Sequence, residues 1–362
     1  TILNVGVNDY DIKIFENQYI LEKGMAYNSY VILDEKVAVM DTVDEHVTEE
    51  WLVKVDEALL GRSVDYLVVQ HMEPDHSASI PAFLKKYPKA TVVSTAKGFQ
   101  FMEQFFPEFF AGQGLPAEQR IVAANDGVLE LGQHSLHFVY APMVHWPEVM
   151  MTYEATEKIL FAADGFGKFG ALDVEEEWAN EARRYYIGIV GKYGPQVQAV
   201  LKKAAGLDIQ TICSLHGPVL KENLGFYLEK YDKWSSYQPE ESGVVIAYAS
   251  VYGNTRNAAE YLADVLQEKG QKTVLYDLAR CDKAKAVADA FRYDRLVLAG
   301  ITYNGDLFPC MRSFIKGLTE RNYQNRKVAI IENGTWAPMA AKLMRAELDG
   351  MKNITVCDNV VT

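Results

Sequence analysis

The chain has 362 residues, 49% of them hydrophobic and 23% charged, with a formal net charge of −13. That length makes two domains the natural expectation, with ample material for a core in each. The acidic balance disfavours nucleic acid and anionic membrane surfaces as partners, no apolar run is long enough to cross a bilayer, and no signal-peptide pattern opens the chain.

Four cysteines, Cys213, Cys281, Cys310 and Cys357, are scattered without a CxxC pair. They argue against a thiolate metal site or a disulfide framework and fit a reducing cytoplasm. Residues 1–44 alternate apolar and polar positions with turn signals at 23–24 and 34–35, which predicts a string of short strands. An amphipathic helix follows over 45–60, with Trp51, Leu52, Val55 and Leu59 on one face and His46 as a solvated or capping residue at its start.

The apolar run 66–70 predicts a buried strand, and His71, Glu73, Asp75 and His76 leave its end within six residues. Only seven histidines occur in the chain, so two of them alternating with two carboxylates is a metal-ligand pattern rather than an ordinary wet loop. A helix over 80–86 and a strand over 90–95 come next. The aromatic-rich stretch 99–110 reads as core or interface. Strand 135–142 carries His134 and His137, read as structural, and is followed by His145. Strand 158–163 runs into Asp164, and strand 209–214 ends at His216-Gly217-Pro218.

Four separate strands thus deliver ligands at their C-terminal exits, and strand ends gathered on one edge build a polar site there. Seven ligands are too many for one ion and suit two, with Asp164 as the bridge. Four imidazoles and three carboxylates without thiolate suit iron or manganese at least as well as zinc. Helices are expected over 178–190, 196–205 and 220–234. Tyr193, between the first two, is read as a hydroxyl donor to bound substrate, with plain packing as the competing role.

Residues 237–243 form a polar linker containing Pro239 and Gly243, so the domains are expected over 1–238 and 243–362. Beyond it five strands alternate with four helices, the pattern of a doubly wound parallel sheet. The loop Ser250, Val251, Tyr252, Gly253, Asn254, Thr255 joins its first strand to its first helix. Hydroxyls, a glycine and a helix N-terminus make it an anion cradle. Two later loops carry aromatic residues. One contains Thr302, Tyr303, Asn304 and Gly305, and the other Asn333, Gly334, Thr335, Trp336 and Ala337.

The succession HMEPDHS, HWPE, ADGFG and LHGP resembles the metallo-β-lactamase-like domain of flavodiiron proteins, and SVYGNT resembles the phosphate loop of flavodoxins. The resemblance implies an αβ/βα sandwich followed by a flavodoxin-like domain whose final helix is absent here. It implies one iron on His71, Glu73 and His145, a second on Asp75, His76 and His216, Asp164 between them, and FMN in the three loops. The implied activity is reduction of O2 to water or of NO to N2O. No rubredoxin-type CxxC module occurs, so the implied electron donor is a separate rubredoxin-like carrier, and the implied assembly is a head-to-tail dimer or a tetramer. The competing expectation is a dinuclear zinc hydrolase fused to a flavodoxin module; Glu73, where such hydrolases carry histidine, argues against it.

Overall fold

The computed structural model describes residues 1–112 and 114–357 and the backbone of 360–361. These fall into two compact units, 1–182 with 196–228, and 183–195 with 229–362.

The first unit contains two facing sheets. One runs in the order Ile2–Asn4, Tyr30–Leu33, Val37–Met40, Tyr66–Val68, Thr91–Ser94, Arg120–Val122, antiparallel up to Val37–Met40 and parallel beyond. The other runs Val128–Glu130, Ser135–Tyr140, Met150–Glu154, Ile159–Phe161, Thr211–Cys213, with only the last pair parallel. Successive strand residues point to opposite faces. Ile32, Ala38, Met40, Val68 and Val93 of the first sheet therefore meet Leu136, Phe138, Met150, Phe161 and Cys213 of the second in one apolar core. Val31, Val39, Leu67 and Val92 point the other way and are also fully buried. Helices Thr48–Leu59 and Ile80–Lys86 pack together there through Trp51 and Phe83, whose rings are 5.7 Å apart. Burial on both faces explains why these strands read as continuous apolar runs.

The helical segment expected over 178–190 is not one helix. Trp178–Tyr185 is α-helical, Tyr186–Val190 widens to a π turn, Gly191–Tyr193 tightens to a 3-10 turn, and Gly194–Ala204 is α-helical again. Tyr186 opens the widened turn. Its large ring is fully buried against Tyr231 and Trp234.

The second unit is built on a seven-stranded sheet whose parallel path runs Thr273–Asp277, Glu241–Tyr248, Tyr293–Tyr303, Arg326–Asn333, Ile354–Val356, with Asp306–Leu307 antiparallel to Tyr293–Tyr303 and Val360–Val361 parallel to Arg326–Asn333. Val244, Ile246, Val297 and Ala299 pack one face under Ala259 and Ala263 of helix Asn254–Glu268. Val245, Ala247, Leu296 and Leu298 are buried on the other face. The first strand of this module lies between its second and third, so the winding reverses beside it and opens a crevice at the carboxyl ends of the strands.

Candidate metal centre and ligand cavity

All seven predicted ligands come together in the first unit as two groups, His71, Glu73, His145 and Asp164, and Asp75, His76 and His216. The parallel strand Tyr66–Val68 ends and releases the chain into the loop bearing His71 and Glu73. The short helix Pro74–Ser77 then turns Asp75 and His76 inward, both buried. Ala163 takes φ +48° just before Asp164, and Met143 takes φ +65° two residues before His145. Left-handed backbone at non-glycine residues costs about 1 kcal/mol or more and gathers where a site dictates the chain path. Gly217, at φ +86°, follows His216, and a Cβ there would stand 2.8 Å from Lys168 Cγ. A side chain at that position would displace Lys168 and strain the left-handed backbone next to His216.

The donor atoms converge. His71 Nε2 is 3.2 Å and His145 Nε2 3.1 Å from one oxygen of Asp164, and His76 Nε2 is 3.3 Å from the other. His145 Nε2 is 2.9 Å from Glu73, and Asp75 lies 3.2 Å from both His76 and His216. No aligned hydrogen bond among the described residues reaches either oxygen of Asp75 or of Asp164, although all four atoms are buried. Buried carboxylate oxygens without donors are costly unless a cation takes the place of the donors. The donor set, imidazole plus carboxylate, fits two divalent first-row ions sharing Asp164.

The electrostatics agree. Burial disfavours charge on His71, but the adjacent Asp164 carboxylate outweighs it and holds the imidazole well above its ordinary range. His145 is likewise lifted to about 9 against burial by its contacts with Asp164 and Glu73. Burial pushes Glu73 up, yet hydrogen bonds from His145 and His71 hold it below the usual carboxylate range. Asp75, where burial dominates, is pushed up to about 7, and burial lowers His216. Without a cation the cluster neutralises itself with protons, and an ion displaces them.

Several site residues carry no sequence signal. Glu148 accepts from His71 Nδ1 at 2.7 Å and from the Met72 N–H at 2.9 Å. The Ala26 carbonyl stands 2.8 Å from His216 Nδ1. The rings of Phe15 and Tyr27 flank His216, and Trp146 stands edge-on to His71. Glu16, at φ +47° on the tip of the hairpin Ile14–Phe15/Tyr19–Ile20, is brought against Glu73. Burial first, then the Glu73 charge, push its carboxyl up to about 7. Their partners are far away in sequence, except that the glutamate of HWPE sits three residues past a ligand. His134 pairs with Asp34 and Glu157, and His46 with Asp9 and Asp44. Tyr193 lies in the second unit, in the turn Gly191–Tyr193, with the Lys192 ammonium over its ring.

In the second unit a cavity of about 380 Å³ opens at the carboxyl ends of the strands. Every residue of the three predicted loops lines it except Gly253, and Ile301 and Met339 complete it. Gly253, at φ +94°, is instead the N-cap of helix Asn254–Glu268 and donates its N–H to Ser250 Oγ at 3.2 Å. The cavity therefore has a helix N-terminus and hydroxyls on one side, fit for a phosphate. Tyr252 and Trp336 are 94% and 82% exposed, and Tyr303 is half exposed, so broad aromatic faces stand ready for a planar ring. Thr302 Oγ1 is occupied in capping, accepting from the Met339 and Ala340 N–H groups at 2.8 and 3.1 Å.

Comparison with known proteins agrees with both halves. Residues 25–217 match the ODP family beta lactamase model and 245–356 a flavodoxin domain model. A nitric oxide reductase of Moorella thermoacetica is 28% identical over 358 residues, covering 96% of this chain and 88% of that protein. The flavodiiron protein of Giardia intestinalis superposes with a TM-score of 0.89 at 26% identity, covering 99% of this chain and 90% of that chain. Rubredoxin oxygen:oxidoreductase of Desulfovibrio gigas shares the fold, with a TM-score of 0.90 at 24% identity over 100% of this chain and 91% of that one. The chain spans about half the length of two diflavin flavoproteins of Synechocystis, 47% and 48%.

Proposed function

The chain belongs to the flavodiiron proteins, and we propose that it is an oxidoreductase reducing O2 to water, NO to N2O or both at paired non-haem irons, with electrons passed through FMN. The observation that carries this reading is the pair of ligand groups joined through Asp164 in a chain that also carries a flavin-sized cavity. Bound there, the irons and the flavin supply electrons to a diatomic substrate.

The chain's own residues hold, orient and shelter. His71, Glu73 and His145 hold one ion, Asp75, His76 and His216 the other, and each oxygen of Asp164 faces one group. Phe15, Tyr27 and Trp146 wall the ligands with apolar edges, which limits water and strengthens every charge interaction inside. In the second module, the Ser250–Thr255 loop takes the flavin phosphate, and the loops at 302–305 and 333–337 take the ring. Tyr193 is retained as the proposed hydroxyl donor. The functional modules run over 1–238 and 243–362.

The electron donor is a rubredoxin-like carrier, and the working assembly is a head-to-tail dimer or a tetramer. A cytoplasmic location fits four free cysteines. No helix among the described residues is long and apolar enough to cross a membrane. A dinuclear zinc hydrolase is not favoured, because Glu73 gives the first group a carboxylate where that chemistry is served by imidazole. The test is gas consumption under reducing conditions. Protein loaded with iron and FMN consumes O2 or NO when given a reduced rubredoxin, and Asp164→Asn abolishes it. Loss of neither gas, with both cofactors bound and reduced, overturns the reading.

A further inference from the structure

We infer that Glu148 makes the two metal positions unequal, so that the His71 position binds its ion first and more tightly. The inference rests on reading the cluster as a two-ion centre.

Each imidazole that offers Nε2 to an ion has Nδ1 left for a partner, and that partner sets both ring orientation and donor strength. The three rings whose Nδ1 surroundings are defined differ in kind. His71 Nδ1 lies 2.7 Å from a carboxylate oxygen of Glu148, with both residues buried. His216 Nδ1 lies 2.8 Å from a main-chain carbonyl, that of Ala26. His76 Nδ1 is buried with no hydrogen-bond partner among the described residues. An anionic acceptor draws on the N–H more strongly than a neutral carbonyl and leaves Nε2 the better donor.

Glu148 is itself fixed. The same oxygen accepts the Met72 N–H at 2.9 Å, and its backbone carbonyl accepts Thr95 Oγ1 at 3.0 Å. Its other oxygen has no partner among the described residues, so the carboxylate is aimed at His71 and the adjoining backbone alone. Trp146 stands edge-on to His71 at 5.4 Å and Phe101 edge-on to Trp146 at 6.1 Å, which keeps this side dry and the interaction strong. Glu148 is thus a positioning residue acting through His71.

The test is an anaerobic titration of metal-free full-length protein with Co2+, followed by its visible ligand-field bands and by competition with a chelator. Two equivalents are expected, the first at least about tenfold tighter. Glu148→Gln keeps the size and the Met72 contact but removes the charge. It is expected to weaken the first equivalent about 10–100-fold, shift that equivalent's band, and leave the second equivalent and the metal-free melting temperature in place. Should Glu148→Gln not fold, Glu148→Asp, which withdraws the carboxylate by one methylene, is expected to weaken the same step. Two equal steps in the parent protein, or a first step indifferent to these substitutions, overturn the inference while leaving the two-ion reading intact. Equal weakening of both steps with a fall in metal-free stability marks a merely structural role and also overturns it. Uptake of a single equivalent overturns the two-ion reading and the inference with it.

Discussion

Nε2 of His76 and Nε2 of His216 lie 3.0 Å apart. Two neutral ring nitrogens cannot both turn lone pairs on each other at that distance without something positive between them. Nitrogens sharing a tetrahedral ion at about 2.1 Å sit about 3.4 Å from each other, and the other imidazole pair, His71 and His145, is 3.4 Å apart. The 3.4 Å pair has the spacing of neighbouring ligands, and the 3.0 Å pair is at hydrogen-bond distance, with a proton standing where an ion would. His216→Ala is therefore expected to lose one of two bound ions, and Asp164→Ala, which faces both groups, to lose both. Elemental analysis of the purified variants reads the difference.

Removing the metals leaves the Asp75 and Asp164 oxygens buried without donors. Chelator-treated protein is expected to melt at a lower temperature than loaded protein, and restored metal to recover the difference, because ligands bound only in the folded state add to its stability. Identical melting curves would count against the cluster as a metal site.

Tyr303 and Trp336 line the cavity of the second module with exposed ring faces. Aromatic contacts of this kind contribute about 0.5–1.5 kcal/mol beyond buried area, so Trp336→Ala is expected to weaken FMN up to about tenfold with little change in folding. Quenching of flavin fluorescence on titration measures it.

The side chain of Glu240 is buried in the second unit, where Arg183, Lys230 and Trp234 all donate to its carboxylate. Burial alone raises its titration point, but the hydrogen bond and charge of Arg183 outweigh burial and hold it at about 2, against 4.5 ordinarily. A depressed carboxyl stabilises the fold above its unfolded value and loses that contribution as pH falls towards the folded one. The stabilisation, about 3 kcal/mol at neutral pH, is thus complete above about pH 5 and fades from there towards 2. Parent and Glu240→Gln melting curves are expected to differ most at pH 7 and to converge near pH 2–3.

Arg326 is a buried guanidinium spent on backbone carbonyls, donating to Tyr293, Tyr237, Phe291, Gln324 and Asn325. Lysine cannot span that fan of acceptors. Each carbonyl stranded in the interior costs about 1–3 kcal/mol, so Arg326→Lys is expected to destabilise the second unit by at least about 2 kcal/mol, read by chemical denaturation.

Sequence reading reached the His, Asp and Glu residues that cluster because such side chains at strand exits are rare and chemically distinctive, and it reached the loops that line the cavity because parallel strands hand their loops to one edge. It did not reach Glu148, whose partner His71 lies 77 residues away and whose role depends on which oxygen faces which ring. Nor did it reach Glu16, which looks like any charged hairpin tip until the hairpin is seen against Glu73. Apolar periodicity over 178–190 does not announce the π turn at Tyr186–Val190, because one widened turn shifts the buried face by about a residue within a stretch too short to show the change. The packing of 183–195 with 229–362 hangs on such pairs as Arg183 and Glu240, 57 residues apart, and no local pattern announces them.

The most direct test of the central claim is the metal and flavin content of the purified protein after anaerobic, iron-supplemented expression. Two irons and one FMN per chain, with the flavin absorption bands, are the predicted result. Two zincs with little iron, reproduced across preparations, would contradict a diiron reductase and turn the cluster towards hydrolysis.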